Sequence, residues 1–256
     1  RNRRTLGVAD RDSACTLLAG ILDRHQGVHG FTRLANRNDE RLWGDHGVAV
    51  TEFRRDIDIG DDAGEADLAG LPAPVQDLTA EPRKYGFHGT IKAPFRLAEG
   101  VGFAQVQAEV AALAAGLRPV VMPGLRLTAL KGFVALLPEG DEADLLELGA
   151  EVVTRLDHLR AELTEPEIAK RRPERLTPRQ RDLLGCWGYP YVMEEFRFHL
   201  TLTGSLEPAT VQAVVAVLGP WLQPLLPRPF VIADLCLFGE DAAGRFHLVS
   251  RHALTG

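Results

Sequence analysis

The chain has 256 residues, with 29 Lys and Arg against 35 Asp and Glu for a formal net charge of -6, and it is 45% hydrophobic and 25% charged. That length suffices for one large domain or two lobes around a substantial core, in the composition of an ordinary soluble protein. The acidic balance argues against a dedicated duplex nucleic-acid binder, which needs a basic surface field, but leaves room for a small phosphorylated substrate in a local basic pocket.

In chain order, Asp12 to Arg24 has helical spacing, with Cys15, Leu18, Ile21 and Leu22 on one side. A polar stretch, Arg33 to Asp45, separates it from Val48 to Ile59, which alternates in places and predicts a strand or hairpin. An acidic stretch, Asp56 to Asp67, follows. From Leu71 the pattern sharpens. Tyr85 to Phe95 predicts a strand that stops near Pro94, and Gly102 to Leu117 an alanine-rich amphipathic helix. Leu125 to Leu137 predicts two strands split around Lys131-Gly132, and Asp141 to Leu163 a second helix. Glu165 to Leu184 is charged and helical, opened by Pro166 and interrupted near Pro173 and Pro178. Phe196 to Leu202 predicts a strand and Ala209 to Leu222 a third apolar helix. Two final strands, Phe230 to Phe238 and Arg245 to His252, flank a Gly-Glu-Asp turn. This order is that of an α+β protein with two similar halves.

Three cysteines, Cys15, Cys186 and Cys236, are widely separated and form no C-x-x-C pair, so neither a disulfide framework nor a zinc knuckle is expected. The apolar run Leu17 to Leu22 is too short to span a bilayer, and Arg3-Arg4 is followed by no proper signal-peptide core. The expected location is the cytoplasm, with no membrane partner.

One long-period repeat organises the chain. Tyr85-Gly86-Phe87-His88-Gly89-Thr90-Ile91 and Arg197-Phe198-His199-Leu200-Thr201-Leu202 both contain aromatic-His-x-Thr-aliphatic. On a strand, side chains alternate, so His88 and Thr90 share one face and His199, Thr201 and Thr203 another. Each strand can then bury its apolar face and point an imidazole and a hydroxyl into a shared cleft. Cleaving a phosphodiester in line needs a base on the entering oxygen and an acid on the leaving oxygen, which one neutral and one protonated histidine supply near neutral pH. The threonine hydroxyls can donate to non-bridging oxygens, where charge gathers in the transition state. Simple alternation also puts Lys92 on the face of Thr90. A lone His-x-Thr is common by chance and a strand histidine is more often structural; two copies in matching hydrophobic frames reverse that weighting.

Two histidines fall short of the three protein ligands of a usual catalytic zinc, unless His247 or His252 adds a third, so no metal or cofactor is expected. The three tyrosines, Tyr85, Tyr189 and Tyr191, all lie within ten residues upstream of a motif histidine and could cover a sugar or base, or simply pack. Lys170, Arg171, Arg172, Arg175, Arg179 and Arg181 form a basic segment that is most simply a solvated helix face. Folded over the cleft, it would hold a second phosphate.

The paired motifs resemble the 2H phosphoesterase superfamily. The longer strings at 83–97, 176–181, 187–192 and 195–204 resemble its DUF1045 branch, which is associated with phosphonate metabolism and carbon–phosphorus lyase operons. The resemblance covers about Leu71 to the C-terminus. It implies a bilobal α+β domain over 71–256, with two antiparallel sheets flanking a central cleft and helices outside. It puts the catalytic pair on His88 and His199 and the phosphate-holding hydroxyls on Thr90 and Thr201. Residues 1–70 do not resemble the family's opening strand; either Val48 to Phe53 supplies it, or the first lobe is incomplete or the leader foreign. The expected activity is hydrolysis of a small cyclic phosphodiester. The pathway association suggests ribose 5-phosphate 1,2-cyclic phosphate, with Thr90, Thr201 and Lys92 on the cyclic phosphoryl group, Tyr85 or Tyr191 over the sugar, and Lys170, Arg171 or Arg172 on the 5-phosphate. The alternatives are an RNA-end enzyme acting on 2′,3′-cyclic or 2′-5′ linkages, and a non-catalytic protein that binds a phosphorylated ligand.

Overall fold

The computed structural model describes residues 48–53 and 70–256. The helix predicted at Asp12 to Arg24 and the stretches Arg33 to Asp45 and Asp56 to Asp67 lie outside the described residues.

Seven strands form one sheet in the order β4-β5-β6-β2-β1-β8-β9, and β3 and β7 form a separate two-stranded ribbon. The main-sheet strands are β1 (Val48–Phe53), β2 (His88–Phe95), β4 (Leu125–Leu130), β5 (Phe133–Pro138), β6 (Leu200–Thr201), β8 (Asp234–Glu240) and β9 (Phe246–Ala253); the ribbon pairs β3 (Val120–Met122) with β7 (Phe230–Ile232). Every pairing is antiparallel. The sheet is two antiparallel halves, β4-β5-β6 and β2-β1-β8-β9, joined where β2 meets β6 through the single pair Gly89–Leu200. Val48–Phe53 is an inner strand of the second half, bonded to β2 on one side and β8 on the other.

The larger helices are α2 (Phe103–Ala115), α3 (Ala143–Arg155), α5 (Pro178–Trp187) and α6 (Pro208–Leu222), with short α1 (Val75–Leu78) and α4 (Glu165–Lys170). Their apolar stripes bury Val106, Val110 and Leu113 of α2 and Leu145, Leu148 and Val152 of α3 in one core with Ile91, Leu136, Phe198 and Leu200 of the strands. Burying such a side chain contributes about 1.5–3 kcal/mol. The two breaks expected in the charged segment fall where proline supplies a ready first turn. α4 opens on a capping box between Thr164 and Glu167, and α5 on another between Thr177 and Gln180, each with Pro in the first turn.

Several elements differ from expectation: β3 is not among the predicted strands, and the strand predicted over Phe230 to Phe238 divides into β7 of the ribbon and β8 of the main sheet. The strand predicted over Phe196 to Leu202 narrows to Leu200–Thr201, because β6 is wedged between β2 and β5 and bonds each over one or two residues only. The helix predicted to Leu163 ends at Arg155 and gives way to a 3₁₀ turn, Asp157–Leu159.

Candidate active site

The chain enters β2 through a 3₁₀ turn, Pro82–Lys84, and Gly86, whose φ of +71° favours glycine. This turn brings the Gly86 carbonyl to 3.1 Å from Nδ1 of His88, while Nε2 lies 3.2 Å from the Thr90 hydroxyl. A carbonyl only accepts, so Nδ1 carries the proton and Nε2 of the neutral ring receives the Thr90 O–H. The second motif repeats the device: Nδ1 of His199 donates to the carbonyl of Arg197 at 2.8 Å, again two residues upstream. Each ring also leans on an aromatic neighbour at 5.8 Å between centroids, His88 on Phe238 and His199 on Phe133.

His88, Thr90, His199 and Thr201 line one cavity of about 380 Å³. Burial pushes the His88 pKa below its ordinary value, the hydrogen bonds to the backbone oppose this, and the nearby charge of His199 depresses it further.

The motifs meet physically at the seam. A Cβ on Gly89 would stand 2.2 Å from Cζ of Phe198, so the residue between His88 and Thr90 must be glycine for the aromatic before His199 to lie across it.

Lys92 departs from its expected place. Along β1 and β2 the partners run Val50–Lys92 and then Thr51–Thr90, so one step on β1 faces two on β2. That bulge flips the alternation after Thr90. Lys92 is only 3% exposed and turns toward α3, where Nζ donates to the carbonyl of Val153 at 3.3 Å and to Asp157 at 3.4 Å. It does not line the histidine cavity. Thr203, the matching position of the second motif, is at the cavity wall but spends its hydroxyl on structure, accepting from Val134 N–H and donating to Gly204 O.

Tyr85 lines the histidine cavity, with its ring 5.6 Å from that of Phe246. Tyr191 does not; it is 46% exposed and packs edge-on against Tyr189. Lys170 and Arg171 line a second cavity of about 390 Å³ that shares Pro94 with the first, and Arg172 lines neither. The basic segment therefore is not folded over the histidines. The sequence reading missed Phe133, Phe238 and Phe246, which arrive from β5, β8 and β9 and form the aromatic walls of the cleft. No local motif marks them, since only strand order brings them there.

His247 bonds Asp241 at 2.8 Å and His252 bonds the Ser250 hydroxyl at 2.9 Å. Neither lines the histidine cavity, and among the described residues no three His, Cys, Asp or Glu side chains gather as a metal-ligand set. No described helix is long and apolar enough to cross a membrane.

Comparison with known proteins adds three findings. The chain resembles two proteins named ribose 1,5-bisphosphate phosphokinase PhnN. That of Janthinobacterium sp. (strain Marseille) is 41% identical over 154 residues, 60% of this chain and 34% of that protein. That of Laribacter hongkongensis (strain HLHK9) is 35% identical over 180 residues, 69% of this chain and 40% of that protein. The chain thus spans well under half the length of these curated relatives. Among solved structures, it is similar to LigT of E. coli complexed with 3′-AMP, at 14% identity and a TM-score of 0.42, covering 82% of this chain and 99% of that one. It is likewise similar to TT0787 of Thermus thermophilus, at 14% identity and a TM-score of 0.40, covering 82% and 98%. The family model described as "Protein of unknown function (DUF1045)" matches residues 90–247, which hold Thr90, His199 and Thr201. The chain belongs to the DUF1045 family.

Proposed function

We propose that the chain is a metal-independent phosphodiesterase that opens a small cyclic phosphodiester, with His88 as base and His199 as acid. The observation that carries this reading is the shared anchoring of the two rings. Each is pinned through Nδ1 by the carbonyl two residues upstream, which leaves both Nε2 atoms for proton transfer in one cleft with two threonine hydroxyls.

Burial keeps His88 neutral near pH 7, which suits it to take a proton from water as the water oxygen attacks phosphorus. The ring P–O bond on the opposite side breaks, and the departing sugar oxygen takes the proton from Nε2 of His199. One water is consumed, and the cyclic diester becomes a phosphomonoester and a free hydroxyl. His88 ends protonated and His199 neutral, and solvent exchange resets them. The Thr90 hydroxyl turns from His88 to a non-bridging oxygen, and Thr201 donates to another, countering the charge that builds there.

The relatives support the substrate suggested by the resemblance. Breaking the bond from phosphorus to the sugar's 2-oxygen in ribose 5-phosphate 1,2-cyclic phosphate leaves the phosphate on the first carbon. The product is ribose 1,5-bisphosphate, the compound in the name of the two kinases. Tyr85 would cover the sugar. A second reading, a 2′,3′-cyclic nucleotide or RNA end, is favoured by the aromatic walls of Tyr85, Phe133, Phe238 and Phe246, on which a base can stack.

The test is turnover by the purified protein of ribose 5-phosphate 1,2-cyclic phosphate beside 2′,3′-cyclic AMP, with and without a chelator. Faster opening of the ribose compound, insensitive to chelation, is expected. Preference for the nucleotide moves the assignment to RNA ends. Tight binding of either without turnover makes the protein a phosphorylated-ligand binder, and loss of activity on chelation restored by zinc ends the metal-independent scheme.

A further inference from the structure

The second cavity lies beyond the bulge of β2, bounded by the far end of that strand, the α4–α5 segment and the turn between β8 and β9. Its wall carries Lys92, Arg96, Arg160, Lys170 and Arg171, a concentration of cations in a chain whose net charge is negative. Some of this charge is spent: Arg96 is held by Glu167, and Arg160 by Asp157, which also faces Lys92. Lys170 and Arg171 are different. Among the described residues neither has an ion pair or a side-chain hydrogen bond, yet Arg171 is held in place, its guanidinium 4.8 Å over the ring of Tyr189. Stacking fixes the plane of the fork and leaves its N–H edges free, the arrangement that suits a planar or tetrahedral oxyanion. Three carboxylates also border the cavity. Glu167 is consumed by Arg96 and by the cap of α4, and Asp241 by His247 and the turn amides, which leaves Glu240 against Lys170 and Arg171.

We propose that this cavity is a phosphate-binding site, distinct from the histidine cleft, in which Arg171 and Lys170 grip a phosphomonoester and the Lys92 and Arg160 charges, themselves held by Asp157, add to the local field. The site stands whether or not the histidines are catalytic. The phosphate is either the distal end of a substrate that reaches past Pro94 or a separate small molecule. The burial that pushes Lys92 down to about 8 adds a local reporter, because a bound dianion stabilises its charged form and raises that value.

The experiment is calorimetric titration of the His88→Ala/His199→Ala chain with inorganic phosphate and with ribose 5-phosphate at low ionic strength, which removes the cleft as a competing site. Saturable binding is expected, weakened by about tenfold or more when Lys170→Gln/Arg171→Gln is added, since two charge-assisted contacts are lost. Lys170 is exposed and Arg171 half-buried on Tyr189, so circular dichroism checks that the chain remains folded. NMR of lysine labelled at Cε should show the Lys92 titration moving upward on saturation. Absence of binding, binding indifferent to Lys170→Gln/Arg171→Gln, or binding that leaves Lys92 unmoved overturns the proposal. The source of the phosphate follows from kinetics in the wild-type background. If Lys170→Gln/Arg171→Gln lowers kcat/KM only for cyclic diesters with a second phosphate, the site holds the substrate's distal end; if it affects binding alone, the ligand is separate.

Discussion

The two motif strands begin alike and then diverge. β2 runs for eight residues between two neighbours, whereas β6 is a two-residue strand. Both pin their histidine through Nδ1 to a carbonyl two residues back. Both also give their third alternating position to the frame: Lys92 is drawn to α3 and Thr203 to the backbone of β5. The difference lies between histidine and threonine, where one copy has Gly89 and the other the buried Leu200. Two copies of one motif can thus share their chemistry while splitting the structural work unequally. One yields room, and the other fills it.

The largest effect should come from breaking the pair. His88→Ala and His199→Ala should each lower kcat by roughly 10²- to 10⁴-fold, the usual worth of a positioned acid or base. The pH profile sharpens the division of labour. With His88 as base its limb should fall below the ordinary histidine value of 6.5, and His88→Ala should erase that limb and leave the other; an unchanged acid limb would reassign the base.

Next in size is Lys92. Its folded value of about 8 is below the 10.5 of the free side chain, so the folded state binds fewer protons than the unfolded one between those values. The cost of charging it is present in full below pH 8 and vanishes as pH rises through 10.5, about 3 kcal/mol in all. Denaturant midpoints should therefore show the wild type gaining on Lys92→Met between pH 8 and 10.5. Parallel curves would mean the ammonium is better solvated than its burial implies.

Gly89→Ala should destabilise by about 1–3 kcal/mol through overpacking against Phe198. Phe198→Leu, combined with it, should recover part of that loss in a double-mutant cycle, and strict additivity would refute the contact. The smallest effect belongs to Tyr191→Phe. Its ring lies outside both cavities, so kcat/KM should stay within about twofold and stability within about 0.5 kcal/mol.

The legible part of this molecule is the part written in single elements. Helix and strand periods placed most elements from Leu71 on, with the split at Lys131-Gly132 landing between β4 and β5, where Gly132 takes a φ of +85°. The His-x-Thr pair stood out because its alternation is local. What stayed hidden depends on partners. The bulge that turns Lys92 away exists only in the register of β2 against β1, and no period along β2 alone reveals it. β3 follows Pro119 and is three residues long, too short to alternate visibly, and it is a strand only through β7. Lys170 and Arg171 read as a solvated face, and only the packing of α4 beside β2 gives them a cavity.

The single pair Gly89–Leu200 has a mechanical consequence. Among the described residues it is the one place where the two halves of the sheet share a ladder, and each motif histidine sits one residue from it, His88 before Gly89 and His199 before Leu200. If one half rocks against the other about that seam, displacement grows with the lever arm. The outermost strands, β4 on one side and β9 on the other, would sweep the widest arcs, while backbone beside the axis would scarcely travel. Rocking of that kind would widen the mouth of the cleft while the backbones of His88 and His199, each one residue from the seam, keep their spacing.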